Sequence, residues 1–91
     1  MPRKGEKLLQ RARQTRAGWT AQDLIALYEA YGFRVRQGRG SHVVVSHPQF
    51  EGLTALIPVH AKELSKPYVA TAVKNIERAI ELESEPEEDD E

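Results

Sequence analysis

Apolar residues in "WTAQDLIALYEAYGF" recur at Leu24, Ile25, Leu27, Tyr28 and Tyr31, one stripe of a 3.6-residue period, which predicts an amphipathic helix over 21–31. Thr20 stands at the N-cap with Asp23 three residues on, the spacing of a capping box, and Trp19 can staple onto Leu24. Gly32 suits the left-handed position after a helix. The period then changes to two. In "FRVRQ", Phe33 and Val35 point one way and Arg34 and Arg36 the other, "GRG" makes a turn, and "SHVVVSH" follows as a second strand bounded by Pro48. "LTALIPVH" reads as a third strand with Pro58 near its end, where a missing donor is tolerated at a sheet edge. Strands over 33–37, 41–47 and 53–59 with such tight connections predict an antiparallel meander.

Beyond the strands, Ser65 is an N-cap, Pro67 sits in the first turn, and Val69, Ala72, Val73, Ile76 and Ile80 repeat at helical spacing, predicting a helix over 66–82. Ahead of Trp19, Leu8, Leu9 and Ala12 allow a short amphipathic helix over 6–14. The fold class is α+β in the order α-β-β-β-α, with a three-stranded antiparallel sheet. Each long helix has a single apolar stripe, so both pack on one face of the sheet and leave the other to water or a partner. Three segments follow: a basic extension over 1–18, the domain over 19–82 and an acidic tail over 83–91.

The phase of the second strand decides where its histidines go. Pointing Val43 and Val45 at the helices sends His42, Val44 and Ser46 outward beside Arg34 and Arg36; the opposite phase exposes two valines at about 1.5 to 3 kcal/mol each. His42 is therefore expected on the open, basic face, with a bulge next to Gly40 as the other way to aim it. His42 and His47 are five apart and fall on opposite faces, and no Asp or Glu stands at ligand spacing to either, so neither a metal site nor a cofactor is expected. His47, beside Pro48, is expected to be solvated at the strand end. His60, ending "IPVH", either shares the surface of His42 or simply finishes its strand.

Composition narrows the function. The 91 residues suffice for one small domain, and with no cysteine there is neither a disulfide framework nor a thiolate metal site. No apolar run approaches a membrane span and the charged start leads into no signal-peptide core, so the expected compartment is the cytoplasm, with no membrane partner. The net charge of −1 conceals a division: before Glu81 there are 13 Lys and Arg against 6 Asp and Glu, and from Glu81 onward 8 acids and no base. A basic body points to an anionic partner such as nucleic acid. The tail "ESEPEEDDE" repels itself and is expected to be disordered.

"GRGSHVVVSHP", "TALIPVH" and "KELSKPYVATAVKNI", preceded by a helix ending in Tyr31-Gly32-Phe33, resemble the HicA (YcfA-like) toxins of bacterial and archaeal toxin–antitoxin pairs, over about Trp19 to Leu82. The resemblance implies a fold like a double-stranded RNA-binding domain, translation-independent cleavage of messenger RNA, and neutralisation by a HicB antitoxin that covers the active histidine. By position the catalytic histidine is His42, with Gly40 and Ser41 completing its motif. The resemblance assigns no firm role to His60, which is kept as an accessory candidate.

Metal-free RNA cleavage needs a base for the 2′-hydroxyl proton, an acid for the leaving 5′-oxygen and cations for the phosphate. His42 would serve as acid or base, and Arg36, Arg39 or Lys62 would bind phosphate, with Arg34 further along the same face. The products would carry a 2′,3′-cyclic phosphate and a 5′-hydroxyl. Plainer readings stand beside these. "GRG" needs its glycines for the turn first and for phosphate second; Arg34 and Arg36 also fit a solvated strand face; Tyr28, Tyr31 and Tyr68 share spacing with core leucines and valines; Ser41 and Ser46 lack an acid–base partner. Two other functions fit the pattern, a non-catalytic RNA-binding module and a protein-interaction domain using the open sheet face.

Overall fold

Thr20 accepts a hydrogen bond from the Asp23 N–H on its Oγ1 at 3.1 Å, and a helix starts there, as its side chain predicts. In the computed structural model, which describes residues 4–84, the chain runs α1 (Lys4–Gln14), α2 (Ala21–Ala30), β1 (Arg34–Gln37), β2 (His42–Ser46), β3 (Thr54–Pro58) and α3 (Lys66–Ser84). Asp23 leaves its half of the capping box open, because its carboxylate meets the Arg11 guanidinium at 3.4 Å. α2 ends in a Schellman motif: the Phe33 N–H donates to the Tyr28 carbonyl and the Gly32 N–H to the Glu29 carbonyl, each at 3.1 Å. Gly32 takes the φ of +89° that this closure requires.

The strands form one sheet in the order β1-β2-β3, both pairs antiparallel. One set of cross-strand rows, Val35–Val45–Ala55 and Gln37–Val43–Ile57, alternates with a second, Arg34–Ser46–Thr54 and Arg36–Val44–Leu56. Val45 and Ile57 are buried with Leu24, Leu27 and Tyr28 of α2 and with Val69, Ala72, Val73 and Ile76 of α3, so both long helices cover the face carrying the first set. This is an α+β fold with the element order of a double-stranded RNA-binding domain, preceded by α1. Val59 N–H donates inward to the Ser41 carbonyl at 2.8 Å, and alternation along the ladder turns the neighbouring Pro58 nitrogen to the outer edge of β3, where no donor is needed.

α1 joins this core through Leu9 and Ala12. Its Arg11 guanidinium lies 4.2 Å from the centroid of the Trp19 ring and donates to the Gly18 carbonyl at 3.0 Å, while Arg13 pairs with Glu77 of α3 at 2.7 Å. Trp19 is fully buried, its indole N–H donating to the Thr15 carbonyl at 3.1 Å and its own carbonyl accepting from the Leu64 N–H at 2.7 Å. Tyr28 is a core residue too. Burial pushes its phenol up, partly offset by the Asn75 amide that donates to it at 3.3 Å.

α3 runs two residues past its predicted end, taking in Glu83 and Ser84, whose Oγ donates back to the Ile80 carbonyl at 2.7 Å. The other seven residues of the acidic tail, and residues 1–3, lie outside the described residues. No helix among the described residues is long and apolar enough to cross a membrane.

One expectation is corrected. His47 is not solvated at the strand end but 5% exposed, packed edge-on to Phe33 with ring centroids 5.0 Å apart and tilted against Phe50 at 4.5 Å. It shares strand parity with Val43 and Val45, so it points inward, and Phe50 and the last turn of α3 close over it. Its Nδ1 accepts from the Gln49 N–H at 3.1 Å; its Nε2 lies 3.4 Å from Glu83 Oε2, without hydrogen-bond geometry.

Candidate active site

The turn that delivers His42 is built around Gly40. His42 N–H donates to the Arg39 carbonyl at 3.1 Å, closing a four-residue turn over 39–42, and Gly40 in its second position has φ +58°. No described non-glycine residue has positive φ, so Ser41 is on the negative side, and the pair has the φ signs of a type II′ hairpin turn, whose twist matches the strands it joins. A Cβ at Gly40 would meet nothing within 4 Å, so the backbone angle rather than space calls for glycine here. The Gln37 amide donates to the Gly40 carbonyl at 3.2 Å and the Gly38 N–H to the His42 carbonyl at 2.9 Å, fixing the turn at both sides.

With Val45 fully buried on the helix side, His42 points to the open face, half-buried, in register with Pro58. It borders an open groove of about 550 Å³ whose walls include Arg36, Gln37, Arg39, Val44 and Leu56. Across the β2–β3 ladder stands His60, its ring centroid 6.3 Å from that of His42. The structure thus brings together His42, Arg36 and Arg39, with His60 beside them. Gly40 and Ser41 are exposed and shape the turn. Arg34, opposite Ser46, and Lys62, exposed after β3, do not line the groove.

The cations of the two faces are held differently. Arg11, Arg13 and Arg78 pair with Asp23, Glu77 and Glu81, whereas among the described residues no carboxylate pairs with Arg34, Arg36 or Arg39. An uncompensated cluster beside an imidazole is a place for an anion. Among the described residues, no three His, Asp or Glu side chains are grouped to hold a metal ion.

Two features escaped sequence reasoning. Leu56, which walls the groove, is 55% exposed and gives the basic face an apolar component. Leu56 was within reach of the alternation that placed His42, since it pairs with Val44 in an outward row. The bracing of Gly40 by Gln37 had no sequence signal, because it depends on the turn geometry.

A family model describing the HicA toxin of bacterial toxin–antitoxin systems matches residues 21–78. The chain belongs to the HicA toxin family. Neither the curated proteins nor the solved structures include a match to it. As a HicA family member it is the toxin of a toxin–antitoxin system and goes with an antitoxin partner. The HicA match takes in α2, the whole sheet with both His42 and His60, and most of α3, and it leaves α1 outside.

Proposed function

We propose that this HicA toxin is an endoribonuclease that cleaves messenger RNA in the cytoplasm without a metal ion, with His42 as general acid or base, and that a HicB-like antitoxin silences it by covering the groove. The observation that carries the reading is the placement of His42 on the open sheet face beside Arg36 and Arg39, two guanidinium groups with no carboxylate partner among the described residues. Guanidinium forks hold phosphate oxygens bidentately and counter the charge that develops on them, while an imidazole moves a proton near neutral pH. Arg34, Lys62 and the exposed Gly40–Ser41 turn would extend the contact along the RNA backbone. The exposed apolar Leu56 suits a protein cover better than a phosphate, which supports an antitoxin seated on the same face.

The test incubates the purified chain with messenger RNA in the presence of EDTA. Fragments ending in a 2′,3′-cyclic phosphate and beginning with a 5′-hydroxyl are expected from the parent and not from His42→Ala. RNA bound but uncut by the parent would replace this reading with that of a non-catalytic RNA-binding module.

A further inference from the structure

His42 does not stand alone on the open face. Its ring centroid lies 6.3 Å from that of His60, with the planes inclined at 68°. The sheet sets this spacing: His42 is opposite Pro58, and the hydrogen bond from the Val59 N–H to the Ser41 carbonyl carries the ladder one residue further, so the turn after β3 presents His60 beside His42. Neither ring makes a hydrogen bond or ion pair with its nitrogens among the described residues, in contrast to His47, whose Nδ1 is taken by the Gln49 N–H. Two imidazoles without a structural task, beside two arginines that have no carboxylate partner among the described residues, make a site with both halves of acid–base catalysis.

Resting on the ribonuclease reading above, we infer that His42 and His60 divide the proton transfers, one as general base and the other as general acid, on opposite sides of the scissile phosphate. The base takes the proton of the 2′-hydroxyl as that oxygen bonds to phosphorus. The P–O5′ bond breaks with its electron pair on O5′, which takes a proton from the imidazolium of the second ring, leaving a 2′,3′-cyclic phosphate and a 5′-hydroxyl. The pair finishes with its proton exchanged from one ring to the other, and no further reactant is consumed. Each ring must come within about 2.6 to 3.2 Å of its own oxygen. Rings 6.3 Å apart can flank a phosphate that lies between them, whereas one ring alone would have to serve both sides. Arg36 and Arg39 would then hold the non-bridging oxygens.

The full chain is assayed with EDTA under single-turnover conditions on two RNA oligonucleotides, one natural and one carrying sulfur in place of the 5′-bridging oxygen at the cleaved bond. A thiolate leaves without needing a proton, so loss of the general acid is repaired on the sulfur substrate and loss of the base is not. On natural RNA, His60→Ala and His60→Gln should each lose about 10²- to 10⁴-fold in rate with RNA affinity unchanged, and one limb of the pH–rate profile should disappear. Of His42→Ala and His60→Ala, one should recover on the sulfur substrate. His60 is exposed, so both of its variants should keep the parent's thermal transition. Parent-like cleavage by the His60 variants, with His42→Ala inactive, would overturn the pair and leave the ribonuclease reading standing; so would failure of both alanine variants to recover. A parent that cleaves neither RNA would remove the ribonuclease reading and the pair with it.

Discussion

His42 and His47 sit five residues apart on one short stretch of chain, and the sheet gives them opposite surroundings. His47 faces the helices, where Phe33 and Phe50 pack its ring, Gln49 occupies Nδ1, and Glu83 stands 3.4 Å from Nε2. With Nδ1 engaged, Nε2 is buried beside the last turn of α3 without a hydrogen bond among the described residues. His42 faces outward, with arginines beside it and neither nitrogen engaged by any of the described residues. The same side chain is a tie in one place and an available acid or base in the other, and strand parity alone separates them. A histidine in this fold is thus assigned by the face it occupies.

The sharpest way to break that contrast is His42→Ala. Loss of an acid–base group is expected to lower cleavage by about 10²- to 10⁴-fold. A half-exposed side chain with no nitrogen bonded has little to lose in packing, so a urea titration should place the variant within about 0.5 kcal/mol of the parent. A variant that unfolds, or that cuts RNA at the parent rate, would make His42 structural or incidental.

The inner face should answer in the reverse sense. Ile57, 1% exposed in the row with Val43, is expected to cost about 2 to 5 kcal/mol on replacement by alanine, with cleavage per folded molecule retained. His47→Ala is milder, about 1 to 3 kcal/mol by denaturant unfolding, because it removes two ring contacts and leaves the Gln49 N–H without its acceptor. If His47→Ala instead lost cleavage while holding its stability, the division between the two histidines would fail.

Much of this was legible from residues that act locally. Thr20, Gly32 and Gly40 each impose a cap or a turn through their own backbone, and the valines of β2 disclose the phase that turns His42 outward. What was not legible depends on chain segments meeting from a distance. The parity argument put His47 on the inner side, but its burial requires Phe50 and Glu83 to close over it, and Pro48 beside it looked like a solvated strand end. The proximity of His60 to His42 needs the β2–β3 register, which the 47–53 connection sets and which alternation leaves free by any even shift. Arg34 and Lys62 share the charge of Arg36 and Arg39, and only the register distinguishes the residues that wall the groove from those outside it.

The smallest expected effect concerns the open face and the acids that follow α3. Residues 85–91 carry six Asp and Glu and no base, while Arg34, Arg36 and Arg39 have no carboxylate partner among the described residues. α3 ends where Glu83 meets His47, and β2 leads from there to His42 in five residues, about 17 Å at strand rise. Seven residues can span up to about 25 Å, so acids beyond Ser84 have the reach to compete with phosphate for these arginines. Each such exposed pair is worth about 0.2 to 1 kcal/mol, so with one pair formed at a time the gain is up to about fivefold in affinity. Removing residues 85–91, and keeping Glu83 so that its contact with His47 is untouched, should tighten RNA binding by that modest factor at low salt. The gain should shrink as added salt screens both the acids and the RNA. Equal affinity for the full and shortened chains at low ionic strength would leave the acids with no part in RNA binding, and the open face would then owe its affinity to its arginines alone.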